Sequence, residues 1–286
     1  LIEYLDDTLK SPDDIRDALG LRTLGTISSM ETKNGLITVD KPRSIVSEAF
    51  RVLRTNIRFA GVDRPLHTIL VTSSVASEGK STLVANLAVA MSQAGLRVLA
   101  IDADLRRPRL HQLFDITPEE GLTATLINGN PGDPFQQVGD MPNLIALASG
   151  DLPPNPAELL GSKRMKELLD AWSQHVDVIL LDTPPLLAVT DAAVLAQNVD
   201  GVILVIETGK TRRATAKQAL DRLYQVGSTP IGAVLNKVSL RQGRGYYHYY
   251  DNKYYLEDGE KTSRRRRRHR ERKGPLAALR GKLGRN

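Results

Sequence analysis

The apolar positions of this chain fall into two rhythms. Short continuous runs, at 69–71, 97–101, 144–147, 176–181, 202–206 and 231–235, carry almost no polar alternation. Such runs fit strands buried on both faces. Between them lie stretches of helical spacing, at 83–88, 122–127, 157–172, 191–197 and 212–226. Strands alternating with helices predict an α/β fold: a mostly parallel, doubly wound sheet with helices on both faces. In sheets of that kind ligands bind beyond the carboxyl ends of the strands.

The first residues read less regularly. Ser11-Pro12-Asp13-Asp14 predicts a helix start, with Ser as cap, Pro in the first turn and two acids near the positive end of the dipole. Gly20 stops that helix, 24–27 reads as a short extended piece, and 31–43 as a linker. Residues 44–60 predict an amphipathic helix. Val46, Phe50, Leu53 and Ile57 form its apolar stripe, and Glu48, Arg51, Arg54 and Arg58 a charged one. The charged stripe fits a solvated face with internal ion pairs, and equally a contact face for another subunit.

Composition changes the picture at the far end. The formal charge is +6, yet residues 264–286 hold eleven Lys/Arg against one Glu. The rest is therefore mildly acidic, and the basicity belongs to a tail. Six of the eight tyrosines lie between Tyr246 and Tyr255, in a stretch almost without aliphatic residues. A stretch of that kind builds no core, so 241–263 and 264–286 are expected to form a disordered Tyr-rich and Arg-rich tail. The organised part is expected at 44–240, with 1–43 as a leading segment and linker. There is no cysteine, which removes disulfides and thiol chemistry and suits a reducing compartment. No apolar run is long enough to span a membrane. The chain opens at Leu1 rather than Met, which predicts further residues upstream.

Candidate chemistry clusters at predicted strand ends. After the run at 69–71 comes Ser77-Glu78-Gly79-Lys80-Ser81-Thr82, leading into a helix. Strand, small-residue turn, Gly-Lys-Ser and helix make a phosphate loop. Backbone N–H groups point at phosphate, Gly79 allows close approach, Lys80 reaches the outer phosphates, and the Ser81 hydroxyl ligates Mg²⁺. The full pattern has a Gly where this chain has Ser74. Two further strand ends carry acids: Asp102-Ala-Asp104-Leu-Arg106, and Asp182 in Leu181-Asp182-Thr183-Pro184-Pro185. An Asp after a strand commonly caps a turn. Three beside a phosphate loop point instead to a site, in which Asp102 and Asp182 hold Mg²⁺ and Asp104 orients or deprotonates a hydroxyl.

Together these motifs resemble the bacterial tyrosine kinases of polysaccharide export, in which they are the Walker A, A′ and B sequences. Glu48-Ala-Phe-Arg51-Val-Leu-Arg54 is similar to that family's Glu-x-x-Arg-x-x-Arg motif, and the tyrosine cluster to its autophosphorylated tail. The resemblance implies a P-loop NTPase-like fold and an ATP- and Mg²⁺-dependent protein-tyrosine autokinase. Its catalytic residues would be Lys80, Asp102, Asp104 and Asp182. ATP would be bound through Glu78, Gly79, Lys80, Ser81 and Thr82, with Asn236 at the adenine, and the metal through Ser81, Asp102 and Asp182. The phosphoacceptors would be Tyr246, Tyr247, Tyr249, Tyr250, Tyr254 and Tyr255, phosphorylated between subunits of a ring joined at Glu48, Arg51 and Arg54. It further implies regulation of capsule or exopolysaccharide polymerisation and export at the cytoplasmic face of the bacterial inner membrane. Residues 1–27 resemble the segment that follows the second membrane helix of the chain-length-determinant region, fused or separate, and a phosphotyrosine phosphatase would be a partner. The chain departs from the family in having Ala76-Ser77 where Pro-Gly is usual, and in its arginine-rich end.

Two rival readings use the same residues. Partitioning and septum-site (MinD/ParA-like) ATPases share the fold, but carry a second lysine five residues before the loop lysine, where this chain has Val75. A binding module would use 264–273 on nucleic acid. Anionic lipid is the nearer partner for such a run beside a membrane, which makes nucleic acid the weaker choice.

Overall fold

The computed structural model describes residues 6–30, 35–62, 64–119, 121–129 and 134–239. The tyrosine cluster and the arginine run lie outside them. The chain opens with α1 (Pro12–Leu19), capped as expected. The Ser11 hydroxyl accepts the Asp14 N–H at 3.1 Å, and the Asp14 carboxylate accepts the Ser11 N–H at 2.9 Å. Gly20 ends the helix in the left-handed region, at φ 67°. Strand β1 (Thr23–Ser28) follows, then the single turn α2 (Ile37–Asp40) inside the segment read as a linker. Helix α3 (Ile45–Ala60) starts at a Ser44 cap and buries Val46, Phe50, Leu53 and Ile57 against β1 and the next helix.

Next come β2 (Thr68–Ser73), α4 (Lys80–Ser92), β3 (Val98–Asp102), α5 (Leu110–Phe114), α6 (Leu122–Asn128), β4 (Gln136–Gln137) and β5 (Leu144–Leu147). The expected long helix at 157–172 is two helices, α7 (Pro156–Leu160) and α8 (Lys163–Trp172). The rest are β6 (Val178–Asp182), α9 (Asp191–Leu195), β7 (Gly201–Glu207), α10 (Arg213–Gln225) and β8 (Gly232–Val238).

The eight described strands form one sheet in the order β1-β8-β7-β2-β6-β3-β5-β4. Every pairing is parallel except β4 with β5 at the edge. Side chains alternate across the sheet. Leu70, Leu99, Leu181 and Leu204 pack into one apolar layer with α1, α8 and α10. Their neighbours Val71, Ala100, Leu180 and Val205 pack into the other, with α3 and α4. This is the doubly wound α/β fold. The carboxyl ends of β2, β3, β6 and β8 lie together at one end of the sheet. Among the described residues no helix is long and apolar enough to cross a membrane.

Candidate active site

The loop between β2 and α4 has the phosphate-loop form. Gly79 stands at φ +93°, and a Cβ there would lie 2.3 Å from Asn236 Nδ2. No residue with a side chain fits that position without displacing Asn236. Ser77 is also left-handed, at φ +69°. The loop thus keeps at Ser77 a conformation that favours glycine, the residue usual there in the family. Helix α4 begins at Lys80, whose side chain is buried, and runs back beneath the sheet.

The Glu78 side chain is engaged within the protein. Its carboxylate accepts the Val75 N–H at 2.9 Å and the Glu207 N–H at 3.4 Å, and bonds the Thr211 hydroxyl. Burial raises its pKa against the pull of those bonds. The Glu78 side chain therefore ties the loop to the end of β7 and to Thr211.

Asp102 and Asp182 are direct register partners on β3 and β6, both fully buried. Like charges so close raise each other's pKa. Burial, with Asp104 adding to it, pushes Asp102 up to about 7. Burial and then Asp102 push Asp182 well above the usual range, while the Lys80 ammonium and Ser81 hydroxyl draw it down. The two acids differ in their bonding. Asp102 Oδ2 accepts the N–H groups of Arg109 and Leu110, each at 2.8 Å, and Oδ1 that of Asp104 at 3.3 Å. Neither oxygen of Asp182 has a hydrogen bond of full geometry. A buried carboxylate without donors, beside a lysine and a serine hydroxyl, is incomplete by itself.

Asp104 Oδ1 accepts the N–H groups of Arg106 and Arg107, at 3.3 and 3.0 Å, and so organises its own turn. Arg106 makes a two-pronged ion pair with buried Asp191, at 2.8 and 3.0 Å, tying this turn to the start of α9. Sequence reasoning missed Asp191, together with Thr211, Glu207 and Lys237. Asp191 opens a helix, Thr211 stands just before one, Glu207 and Lys237 lie at the ends of their strands, and none carries a local signature.

A cavity of about 310 Å³ opens beside the loop, lined by Ser28, Met30, Gly35, Thr82, Asn236 and Lys237. Asn236 is buried and donates to the Glu78 carbonyl at 2.8 Å. The charged stripe of α3 lies elsewhere. There Arg51 pairs with Glu48 at 2.6 Å and donates to the Pro42 carbonyl at 2.6 Å. Arg54 donates to the Ala90 carbonyl at the end of α4 at 2.8 Å.

Among the described residues no three His, Asp or Glu side chains converge to hold a metal ion. The buried carboxylate oxygens of Asp182, close to the Ser81 hydroxyl, are hard oxygen donors of the kind a divalent cation takes.

This geometry defines a nucleotide-binding domain, and residues 69–255 match the family CobQ/CobB/MinD/ParA nucleotide binding domain. The tyrosine-protein kinase YwqD of Bacillus subtilis (strain 168) is 43% identical over 222 residues, covering 77% of this chain and 94% of that protein. The putative tyrosine-protein kinase CapB of Staphylococcus aureus is 38% identical over 219 residues, covering 77% of this chain and 96% of that protein. Among solved structures, the kinase domain of the Escherichia coli tyrosine kinase ETK superposes with a TM-score of 0.76 at 33% identity, covering 82% of this chain and 96% of that one. The chain belongs to the bacterial protein-tyrosine kinases.

Proposed function

We propose that this site transfers the γ-phosphoryl group of ATP to tyrosines of the same protein, with Tyr246, Tyr247, Tyr249, Tyr250, Tyr254 and Tyr255 as acceptors. The observation that carries the reading is the unpartnered, buried Asp182 beside Lys80 and Ser81. Lys80 binds the outer phosphates, and the N–H groups of Glu78 to Thr82 line the cradle. Asp182 and Ser81 would hold Mg²⁺ directly, with Asp102 acting through water since its own oxygens are engaged. Mg²⁺ bound there would neutralise charge on the phosphates. A tyrosine hydroxyl attacks in line and gives its proton to Asp104 or Asp102. Asp102 is suited to receive it, because a base works best with a pKa near the working pH. Asn236 faces the cavity with its amide nitrogen engaged, so its oxygen is left to accept from the adenine amino group.

The acceptors belong to a neighbouring subunit in a ring closed by Glu48, Arg51 and Arg54, a head-to-tail contact. Residues 1–43 lead from a membrane-embedded chain-length-determinant region, fused or separate, at the cytoplasmic face of the inner membrane, and 44–240 form the kinase proper. The enzyme regulates capsule or exopolysaccharide export, a phosphatase reverses the modification, and 264–286 contacts anionic lipid. A labelling experiment with ATP and Mg²⁺ tests the assignment. Lys80→Met should abolish tyrosine labelling with the fold intact. Replacing all six tail tyrosines by Phe should abolish it as well. Label remaining in the first variant refutes the site. Tyrosine label remaining in the second refutes the tail as substrate. ATP hydrolysis by the wild type without any protein labelling would instead support a MinD/ParA-like ATPase.

A further inference from the structure

Two consecutive residues at the end of β8 grip two consecutive carbonyls of the phosphate loop. Asn236 Nδ2 donates to the Glu78 carbonyl at 2.8 Å, and Lys237 Nζ to the Ser77 carbonyl at 2.6 Å. The same ammonium meets Glu207 Oε2, at the end of β7, at 3.1 Å. The other Glu207 oxygen meets Lys210 at 2.5 Å. Glu207 is thus fixed, and it orients Lys237.

A trans peptide points its C=O and N–H in opposite directions. The Ser77 carbonyl shares its peptide with the Glu78 N–H, and the Glu78 carbonyl shares its peptide with the Gly79 N–H. Tying both carbonyls to β8 turns both N–H groups away from these anchors, as the loop's donors for an anion. The arrangement is held against local preference. Ser77 at φ +69° and Lys237 at φ +58° are two of the three described non-glycine residues with positive φ, and a single hydrogen bond joins them. Strain of this kind persists only where surrounding contacts fix it.

We propose that Lys237 is a positioning residue for nucleotide binding: its ammonium, oriented by Glu207, holds Ser77 in the left-handed conformation that presents the loop's N–H donors to the phosphates. This rests on the nucleotide-binding reading of the loop. The ordinary alternative is a half-exposed lysine in an ion pair that contributes little.

Calorimetric titration of the full chain with ATP and with ADP, in Mg²⁺, separates the two. Absence of binding to wild type would overturn the nucleotide reading itself. With wild type binding, Lys237→Met should raise Kd for both nucleotides by about five- to tenfold, because only loops in the competent conformation bind. The thermal midpoint without nucleotide should stay within about 4 °C. Adding Ser77→Gly to Lys237→Met should recover most of the loss, since glycine adopts this conformation without steric cost. Lys237→Arg, which can still donate to both partners, should stay within about twofold of wild type. Equal affinity of wild type and Lys237→Met overturns the proposal. So does a loss confined to ATP and indifferent to Ser77→Gly, which would make Lys237 a direct phosphate ligand. Should Lys237→Met not fold, Glu207→Gln carries the test: weaker binding of both nucleotides supports the proposal, and unchanged binding overturns it.

Discussion

Replacing Asp182 by Asn should make the nucleotide-free protein more stable than wild type, and increasingly so as pH rises. Asp182 and Asp102 are adjacent and buried, and Asp182 has no hydrogen bond of full geometry. Their folded pKa values lie above the unfolded value of 3.8, that of Asp102 at about 7. An acid with a raised folded pKa contributes stability that is complete below its unfolded pKa and is lost as pH rises through the folded one. The wild type without metal should therefore weaken between about pH 4 and pH 7, by up to about 1 kcal/mol per pH unit for each proton the folded state retains. Asp182→Asn removes one titrating group and lowers the pKa of the other. Its advantage over wild type should grow from pH 5 to pH 8, by no more than that slope for each extra proton the wild type retains. Urea unfolding followed by circular dichroism, in EDTA at both pH values, measures it. Saturating ATP and Mg²⁺ should reverse the order at pH 8, because ligand at about 100 times its Kd stabilises the wild type by about 2.7 kcal/mol and the variant binds poorly. A difference between the proteins that is the same at both pH values would refute the argument.

Gly79→Ala should destabilise by about 1–2 kcal/mol and abolish nucleotide binding, since the new Cβ meets Asn236 in a left-handed backbone; thermal shift with and without ATP reads both effects, and retained ATP stabilisation refutes it. Glu48→Ala with Arg51→Ala and Arg54→Ala should give monomers by light scattering. The stability cost should be only about 1 kcal/mol, because the Arg51 pair is exposed and Arg54 gives up one hydrogen bond to Ala90. An oligomer that survives the triple change returns these residues to an ordinary solvated face.

The elements that position the site were legible because their signals are local. A buried apolar run, Gly-Lys-Ser and a helix specify β2, the loop and α4 without reference to the rest of the chain. What escaped depends on distant contacts. The helix expected at 157–172 breaks where Gly161 ends the first helix and the Ser162 hydroxyl caps the next, and Gly161 itself is required by distant Val194, since a Cβ would come within 2.3 Å of its methyl group. The turn α2 exists because Thr38 bonds the buried Asn86 side chain of α4, through its N–H and hydroxyl, each at 3.0 Å. The convergence of Asp102 and Asp182 could be expected from their strand ends, but their position as direct partners is a matter of register. The brace on Glu78 and the grip of Lys237 arise between segments more than 100 residues apart.

The pairing of β1 with β8 sets the order in which the enzyme becomes competent. Among the described strands the first has its partner only when the last has been synthesised, so β1 waits for β8 while the more than 200 residues between them are made. The same late strand delivers Asn236 and Lys237, the anchors of the phosphate loop. A chain released early, or caught half made, would possess Gly79, Lys80 and Ser81 and still lack the hold that shapes them. The shape of the phosphate loop thus rests on the last strand of the sheet, and a piece of the domain that stops before β8 lacks both anchors.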